Sequence, residues 1–412
     1  MKVTYQYNGK DLDIDLPENT QVITPNKVQA ADASQEISSA LSHPIGCESL
    51  ESFLKGRERI LVIVNDGTRP TPTASVLETI EPLLRGHKVS LLIATGCHRG
   101  ARDKEIRRIL GTTYAAYSGC ITSHDSRDES SLVYLGESRN GTVLKVNKAV
   151  VENDAILIIG SVEPHYFAGY TGGRKAIMPG VAGYISIQMN HKLALRPEAK
   201  ALNLDDNPVH QDMVDVLSLL KGKSIFSIQT VMDSEHKVYK VYAGDIIKSF
   251  NVAVSAADEV FAVNIAHKAD IVISIAKAPM DLDLYQSQKA IDNAKLALKT
   301  GGILILVAAC LDGTGEKSFY DLLSSSDSPQ QVLENIEREY KLGYHKAGKM
   351  AEVMKWADIY CVSELDKDIW EKIFITRFSS LEEAVKQART VKGKDASILV
   401  LTDGCVTVPK IG

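Results

Sequence analysis

Short runs rich in Ile, Val and Leu recur along the chain, each closed by polar residues or glycine. They cover Arg59–Asn65, Val89–Ala94, Ala155–Gly160, Ile271–Ala276, Ile303–Ala309, Ile359–Ser363 and Ser397–Thr402. Runs of this length and composition predict strands buried on both faces. Between them lie amphipathic stretches that predict helices, among them Thr73–Arg85, Arg102–Leu110, Tyr285–Lys299 and Leu381–Arg389. Strands alternating with helices predict an α/β fold whose mostly parallel sheets are flanked by helices. The first segment, Lys2–Leu16, alternates every second residue and predicts an antiparallel hairpin or edge, turning at Asn8-Gly9. A chain of 412 residues is long enough for two cores. The apolar and polar residues mix around Lys240–Lys268, and the boundary is expected near residue 262, giving domains 1–262 and 263–412.

The net charge is −5, with no basic cluster, which argues against nucleic acid and against an anionic membrane surface. No apolar run approaches the roughly 20 residues of a membrane-spanning helix. The N-terminus has no apolar core of a secretory signal. The cysteines Cys47, Cys97, Cys120, Cys310, Cys361 and Cys405 are scattered, without a CxxC pair. They read as packed small hydrophobes in a reducing, cytoplasmic setting.

In open α/β sheets ligands gather beyond the carboxyl ends of the strands. Here those ends carry reactive side chains repeatedly. Asp66-Gly67-Thr68-Arg69 follows the first run, Thr95-Gly96-Cys97-His98-Arg99 the second, and Glu163-Pro164-His165 the third. Lys277 to Asp281, leading to Tyr285, Gln286 and Lys289, follows Ile271–Ala276; Asp312-Gly313 follows Ile303–Ala309. A polar cleft is the natural reading of so many at one edge. The densest segment is Glu163–His191. Its Gly169, Gly172 and Gly173 precede Arg174-Lys175; such a loop either brings backbone close to an anion or makes a tight turn. His165, His191 and His98 are each a metal ligand, a proton shuttle or a structural histidine. No HxxxH or CxxC pair accompanies them, so a metal held by protein side chains alone is not an obvious reading.

The segment resembles the nickel-dependent lactate racemase family. The shared pattern is Glu163-x-His165, Phe167-Ala168-Gly169, Gly172-Gly173-Arg174-Lys175, Pro179-Gly180 and Asn190-His191. Asp66-x-Thr68-Arg69-Pro70, Ala94-Thr95-Gly96-x-His98-Arg99, Asp281-x3-Tyr285-Gln286-x2-Lys289 and Asp312-Gly313 match as well, in order, over almost the whole chain. The resemblance implies a pyridinium-3,5-bisthiocarboxylic acid mononucleotide, one arm joined to Lys175 as a thioamide, holding nickel in a sulfur–carbon–sulfur pincer. His191 corresponds to the protein ligand of the nickel. A square-planar nickel with soft sulfur donors suits that set. Asp66, Thr68 and the Gly172-Gly173 loop are the expected cofactor contacts.

The reaction implied is racemisation or epimerisation of a 2-hydroxy acid by reversible hydride transfer. His98 and His165 correspond to the two acid–base groups, and Arg69 and Lys289 to the carboxylate-binding pair, with Tyr285 and Gln286 lining the pocket. Asp66 is expected to orient Arg69. The N-terminal domain would carry the cofactor lysine and histidines, the C-terminal domain the substrate residues, with the active site in the interdomain cleft. His345 stands where lactate-specific members have a tryptophan, and Lys277 where many have glycine. Both departures suit a substrate larger or more polar than lactate, such as a sugar acid or an acid with a second carboxylate. Separate cofactor-building enzymes are the implied partners. A non-catalytic carrier of the nickel cofactor and a nickel-free nucleotide-dependent enzyme are the alternatives.

Overall fold

The computed structural model describes residues 1–412. The chain divides into two compact units, one of residues 27–260 and one of residues 1–26 with 261–412. Both are α/β, and no helix is long and apolar enough to cross a membrane.

In the unit 27–260 a six-stranded sheet runs in the order Val238–Gly244, Ser224–Met232, Ala155–Ser161, Arg59–Asn65, Lys88–Ala94, Ile121–Ser123. Only the edge pair Ser224–Met232 with Val238–Gly244 is antiparallel. The inner strands are apolar throughout because both faces are covered. On one face Ile60, Val62, Val64, Leu91, Leu157 and Ile159 meet Ile37, Leu77 and Ile80 from the helices Ala33–Ser42 and Thr73–Leu84. The chain begins this sheet at Arg59–Asn65, builds outward through Lys88–Ala94, and then returns to the other side at Ala155–Ser161. The strand order therefore reverses between Arg59–Asn65 and Ala155–Ser161, the position where an open α/β sheet leaves a crevice beyond its strand ends.

The second unit repeats this logic. Its six strands are all parallel, in the order Thr376–Phe378, Asp358–Val362, Leu298–Val307, Ala269–Ile275, Ile398–Leu401, Gln21–Ile23. Here the order reverses between Ala269–Ile275 and Ile398–Leu401.

The expected division at 262 needs one correction. Residues 1–26 belong with the C-terminal unit. Gln21–Ile23 is its edge strand, pairing with Leu399–Leu401, and the hairpin Lys2–Tyr7/Lys10–Asp15 covers one face of that sheet. Val3, Tyr5, Ile14 and Leu16 pack there against Ile271, Ile273, Ile303 and Ile305. Positive φ at Asn8 (49°) and Gly9 (69°) gives the hairpin turn the backbone that matches strand twist. The alternation put one face of this hairpin in a core, but it could not say which core. The helix Lys248–Phe261 and the strands Ser224–Met232 and Val238–Gly244 were also outside the sequence pattern. Ser227, Gln229 and Thr230 interrupt the apolar run, yet all three are fully buried.

Ile14 is 4% exposed within the hairpin's contact with the C-terminal unit. Ile14→Ala is expected to cost about 2–4 kcal/mol, the range for a large-to-small core change. Urea unfolding that shows no loss would place the hairpin outside that core.

Candidate functional site

In the unit 27–260 the two strands flanking the reversal deliver the polar residues. The chain leaving Arg59–Asn65 turns at Asp66, and the chain leaving Lys88–Ala94 supplies His98. His98 Nδ1 lies 2.7 Å from Asp66 Oδ2. Asp66 Oδ1 accepts from the Thr68 N–H at 3.1 Å and from Thr68 Oγ1 at 2.5 Å. A carboxylate only accepts, so the His98 proton sits on Nδ1 and the ring's lone pair on Nε2. His98 itself is exposed. Burial pushes the Asp66 carboxyl's pKa up, but the bonds from His98 and Thr68 outweigh it and hold it below the ordinary value.

Arg69 does not meet Asp66. Its Nη1 pairs with Glu163 Oε1 at 2.5 Å, both partly buried. The orienting roles expected from the sequence are thus corrected: Asp66 holds His98, and Glu163 holds Arg69. Both of Asp66's oxygens are already engaged by protein groups.

The segment after Ala155–Ser161 forms a short antiparallel pair, Pro164–His165 with Gly169–Tyr170, and then a 3-10 turn, Gly173–Ala176. The two-strand clasp folds His165 back over the turn. His165 is 9% exposed and stacks on Tyr166 with ring centroids 5.0 Å apart. Its Nδ1 accepts from the Ala168 N–H at 3.3 Å, and its Nε2 lies 3.4 Å from Lys175 Nζ. Lys175 is half-buried, with Nζ 5.4 Å from the Phe167 ring centre. The other edge of Phe167 meets His191, at 4.9 Å between centroids.

His191 rides on the helix Tyr184–Lys192. Its Nδ1 is 3.2 Å from Asn190 Oδ1. Asn190 Nδ2 donates to the buried Asp212 Oδ2 at 2.8 Å, which fixes the amide with its oxygen towards the ring. His191 therefore carries its proton on Nδ1 and its lone pair on Nε2. Burial, with the Lys175 charge adding to it, pushes the ring's pKa down to about 3, so it is neutral. A neutral imidazole with the second nitrogen bonded to protein is the usual state of a metal-ligating histidine.

What shapes the loop is Arg174, which is completely buried. Its Nη2 donates to Ala168 O at 2.8 Å, and Nη1 to Gly172 O at 3.2 Å and Thr171 O at 3.3 Å. The guanidinium lies 4.2 Å over the Phe250 ring, and Nε has no hydrogen-bond partner. Burial pulls its pKa down to about 9.

The glycine loop corrects a second expectation. The Gly173 N–H donates to Gln229 Oε1 at 2.9 Å, so it is not presented to a phosphate. Gly172 has φ 81°, and a Cβ there would stand 2.5 Å from Val162 Cγ2 and 2.8 Å from Gln229 Oε1. Both glycines make a tight, packed turn. Gln229 lies on the strand Ser224–Met232, which the sequence pattern missed. Its alternation of polar and apolar residues was the available signal.

In the unit of residues 1–26 and 261–412, the helix Leu284–Ala294 starts at Asp283, whose carboxylate caps the Gln286 N–H at 2.7 Å. Lys289 Nζ donates to Gln286 Oε1 at 3.0 Å, so these two expected substrate residues meet on one helix face. Tyr285 carries Lys346, whose Nζ lies 3.8 Å from the Tyr285 ring centre and donates to Tyr285 O. Lys346 was not foreseen. It is 3% exposed, and burial, then Lys289, hold its pKa well below the ordinary lysine value. His345 is buried at 2% exposure, with Nδ1 3.1 Å from Tyr340 Oη. Lys277 is partly exposed just past Ala269–Ile275. No group of three or more His, Cys, Asp or Glu side chains gathers as a metal site made by protein alone.

Comparison with known proteins agrees along the chain. Residues 5–202 match the lactate racemase N-terminal domain, and residues 264–408 the lactate racemase C-terminal domain. The chain is 33% identical to a lactate racemase of Thermoanaerobacterium thermosaccharolyticum over 97% of its own length and 96% of that protein. It is 31% identical to a lactate racemase of Lactiplantibacillus plantarum over 91% of each. The structure of the lactate racemase apoprotein from T. thermosaccharolyticum superposes with a TM-score of 0.93 at 30% identity, all of both chains being covered. A protein from Thermotoga maritima shares the fold at a TM-score of 0.71 and 17% identity, over 93% of this chain and 100% of that one.

Two outcomes follow from the geometry. Arg174→Met strips three buried carbonyls of their donor, each worth about 1–3 kcal/mol when left dry, while relieving a buried charge. A net loss of about 2–4 kcal/mol by denaturant unfolding is expected; an unchanged midpoint would mean the clip is dispensable. Asp66 has a depressed folded pKa, so its contribution to stability is complete above the unfolded value of about 3.9 and is lost as pH falls through the folded one. The stability gap between the parent and Asp66→Asn should therefore shrink below about pH 4. A gap independent of pH would remove Asp66 as a paired carboxylate.

Proposed function

The chain belongs to the lactate racemase family and is an isomerase; on that premise we propose that it inverts the carbinol carbon of a 2-hydroxy acid, using a lysine-tethered nickel-pincer nucleotide. The observation that carries this reading is the meeting of Lys175, His165 and the neutral His191 around Phe167.

The residues fit the cofactor that the family implies. Lys175 would carry the thioamide tether. His191 would be the protein's nickel ligand through Nε2, its Nδ1 proton being held by Asn190. A carbinol C–H is a poor acid, and the bound group supplies the alternative, accepting the hydrogen with its electron pair so that carbon becomes planar.

The chain's own residues handle the proton and the carboxylate. For hydride to leave, the hydroxyl proton must leave too. His98 Nε2, its lone pair directed by the Asp66 bond, takes that proton for one enantiomer. His165 Nε2 serves the hydroxyl of the other. Arg69, braced by Glu163, binds the substrate carboxylate with its remaining N–H groups, and Lys289 shares that load beside Gln286 and Tyr285. Thr68, through its bond to Asp66, supports the same turn. His345 in place of an apolar indole, and Lys277 in place of glycine, support a substrate larger or more polar than lactate.

The test uses protein made together with the cofactor-building enzymes and nickel. Intact mass should show an adduct that vanishes in Lys175→Ala. Single enantiomers of lactate, malate, 2-hydroxyglutarate, phenyllactate and gluconate-type acids are then followed by chiral chromatography. His98→Ala and His165→Ala should keep the adduct and lose about 10²–10⁴-fold in turnover. An adduct without inversion of any acid would favour a cofactor carrier. No adduct would favour a nickel-free enzyme.

A further inference from the structure

The proposed reading makes Lys175 the attachment point but leaves open how an amine ordinarily held as ammonium becomes a nucleophile. At pH 7 a lysine of pKa about 10.4 is free amine only about once in 2,500 molecules.

The hydrogen bonds around His165 bear on this. The Ala168 N–H can only donate, and it points at His165 Nδ1. Nδ1 therefore holds a lone pair, and the single proton of the neutral ring sits on Nε2. That Nε2–H faces Lys175 Nζ at 3.4 Å. An ammonium has three donors and no lone pair, so it would oppose one N–H with another. A neutral amine accepts the bond. The two side chains are complementary in one protonation state only.

The surroundings favour that state. His165 is buried between Tyr166 and Phe167. The charged groups near Lys175 are the adjacent Arg174, whose guanidinium is turned to the carbonyls of Ala168, Thr171 and Gly172, and the neutral His191. Glu163, the carboxylate of the same segment, is engaged by Arg69. A second cation beside buried Arg174 is disfavoured by desolvation and by like charge.

We propose that His165 has a second role, earlier than its part in turnover: through Nε2–H it holds Lys175 as the free amine and so primes the protein for its own acylation by the cofactor's thiocarboxylate. The amine nitrogen attacks the thiocarboxylate carbon. A C–N bond forms and the C–O bond breaks, with sulfur kept on carbon. Oxygen leaves as water, carrying one amine hydrogen and one proton from solvent, and nothing is oxidised or reduced. This rests on Lys175 being the tether, but it is tested without the cofactor.

The full chain, made without the cofactor-building enzymes, is treated at pH 7 with a trace of acetic anhydride, and each lysine's acetylation is read by peptide mass spectrometry. Lys175 should react at least tenfold faster than the exposed Lys10 and Lys55, despite being half-buried. His165→Phe should bring it to their rate or below. His165→Gln, whose amide keeps a donor, should retain most of the advantage, which separates the hydrogen bond from a mere packing role and stands in if the Phe variant does not fold. Lys175 reacting no faster than Lys10 and Lys55, not reacting at all, or keeping its rate in both variants would each overturn the proposal. Loss of the Lys175 adduct in the co-produced protein would instead overturn the tether itself, so the two failures are distinct.

Discussion

A cation sealed away from water sets the geometry on which the site depends. Arg174 spends its donors on three main-chain carbonyls of its own loop and rests on Phe250. A buried charge without a carboxylate is costly, and the loop must stay closed around it to supply the polar partners it needs. Closing the loop has two results. The residue before the clip, Gly173, is pressed against Phe250, and the residue after it, Lys175, is turned towards His165. Gly172 and Gly173 are glycines because of this closure: their positive φ and the close approach of Val162, Gln229 and Phe250 leave no room for a side chain.

The second regularity is topological. Each unit places its chemistry beyond strands that flank a reversal of strand order. In one, Asp66 and Arg69 follow the strand on one side of the reversal, and Glu163 and His165 the strand on the other. In the other unit, Lys277 and Asp281 follow Ala269–Ile275. The pairing of Arg69 with Glu163, far apart in sequence, is a direct result: adjacent parallel strands bring their carboxyl ends side by side.

How far the sequence could be read follows from the same physics. Strands such as Arg59–Asn65 and Ala155–Ser161 were legible because covering on both faces forces an unbroken apolar run. Ser224–Met232 was not, because its buried Ser227, Gln229 and Thr230 are satisfied by groups elsewhere in the fold, as Gln229 is by Gly173 and Thr230 by the Gly160 carbonyl. The histidines, Lys175 and Arg69 were legible as motif residues, but their partners were not. Asp66 lies three residues from Arg69 and looked like its mate, whereas distance in space assigns it to His98. Arg174, beside Lys175, resembles any surface basic pair until its burial is known.

The placement of residues 1–26 has a consequence for biosynthesis. The segment emerging first from the ribosome belongs to a sheet whose other strands, from Ala269–Ile275 onward, are made after residue 260. The unit 27–260 is an insertion between two parts of its companion, and all of its strands are available before the companion's central ones exist. During translation the hairpin Lys2–Tyr7/Lys10–Asp15 must wait with Val3, Tyr5, Ile14 and Leu16 lacking their permanent neighbours. Its alternating pattern leaves an acidic outer edge, Asp11, Asp13 and Asp15. Those charges offer the waiting segment a defence against edge-to-edge association until Ile398–Leu401, near the end of the chain, arrives to pair with Gln21–Ile23.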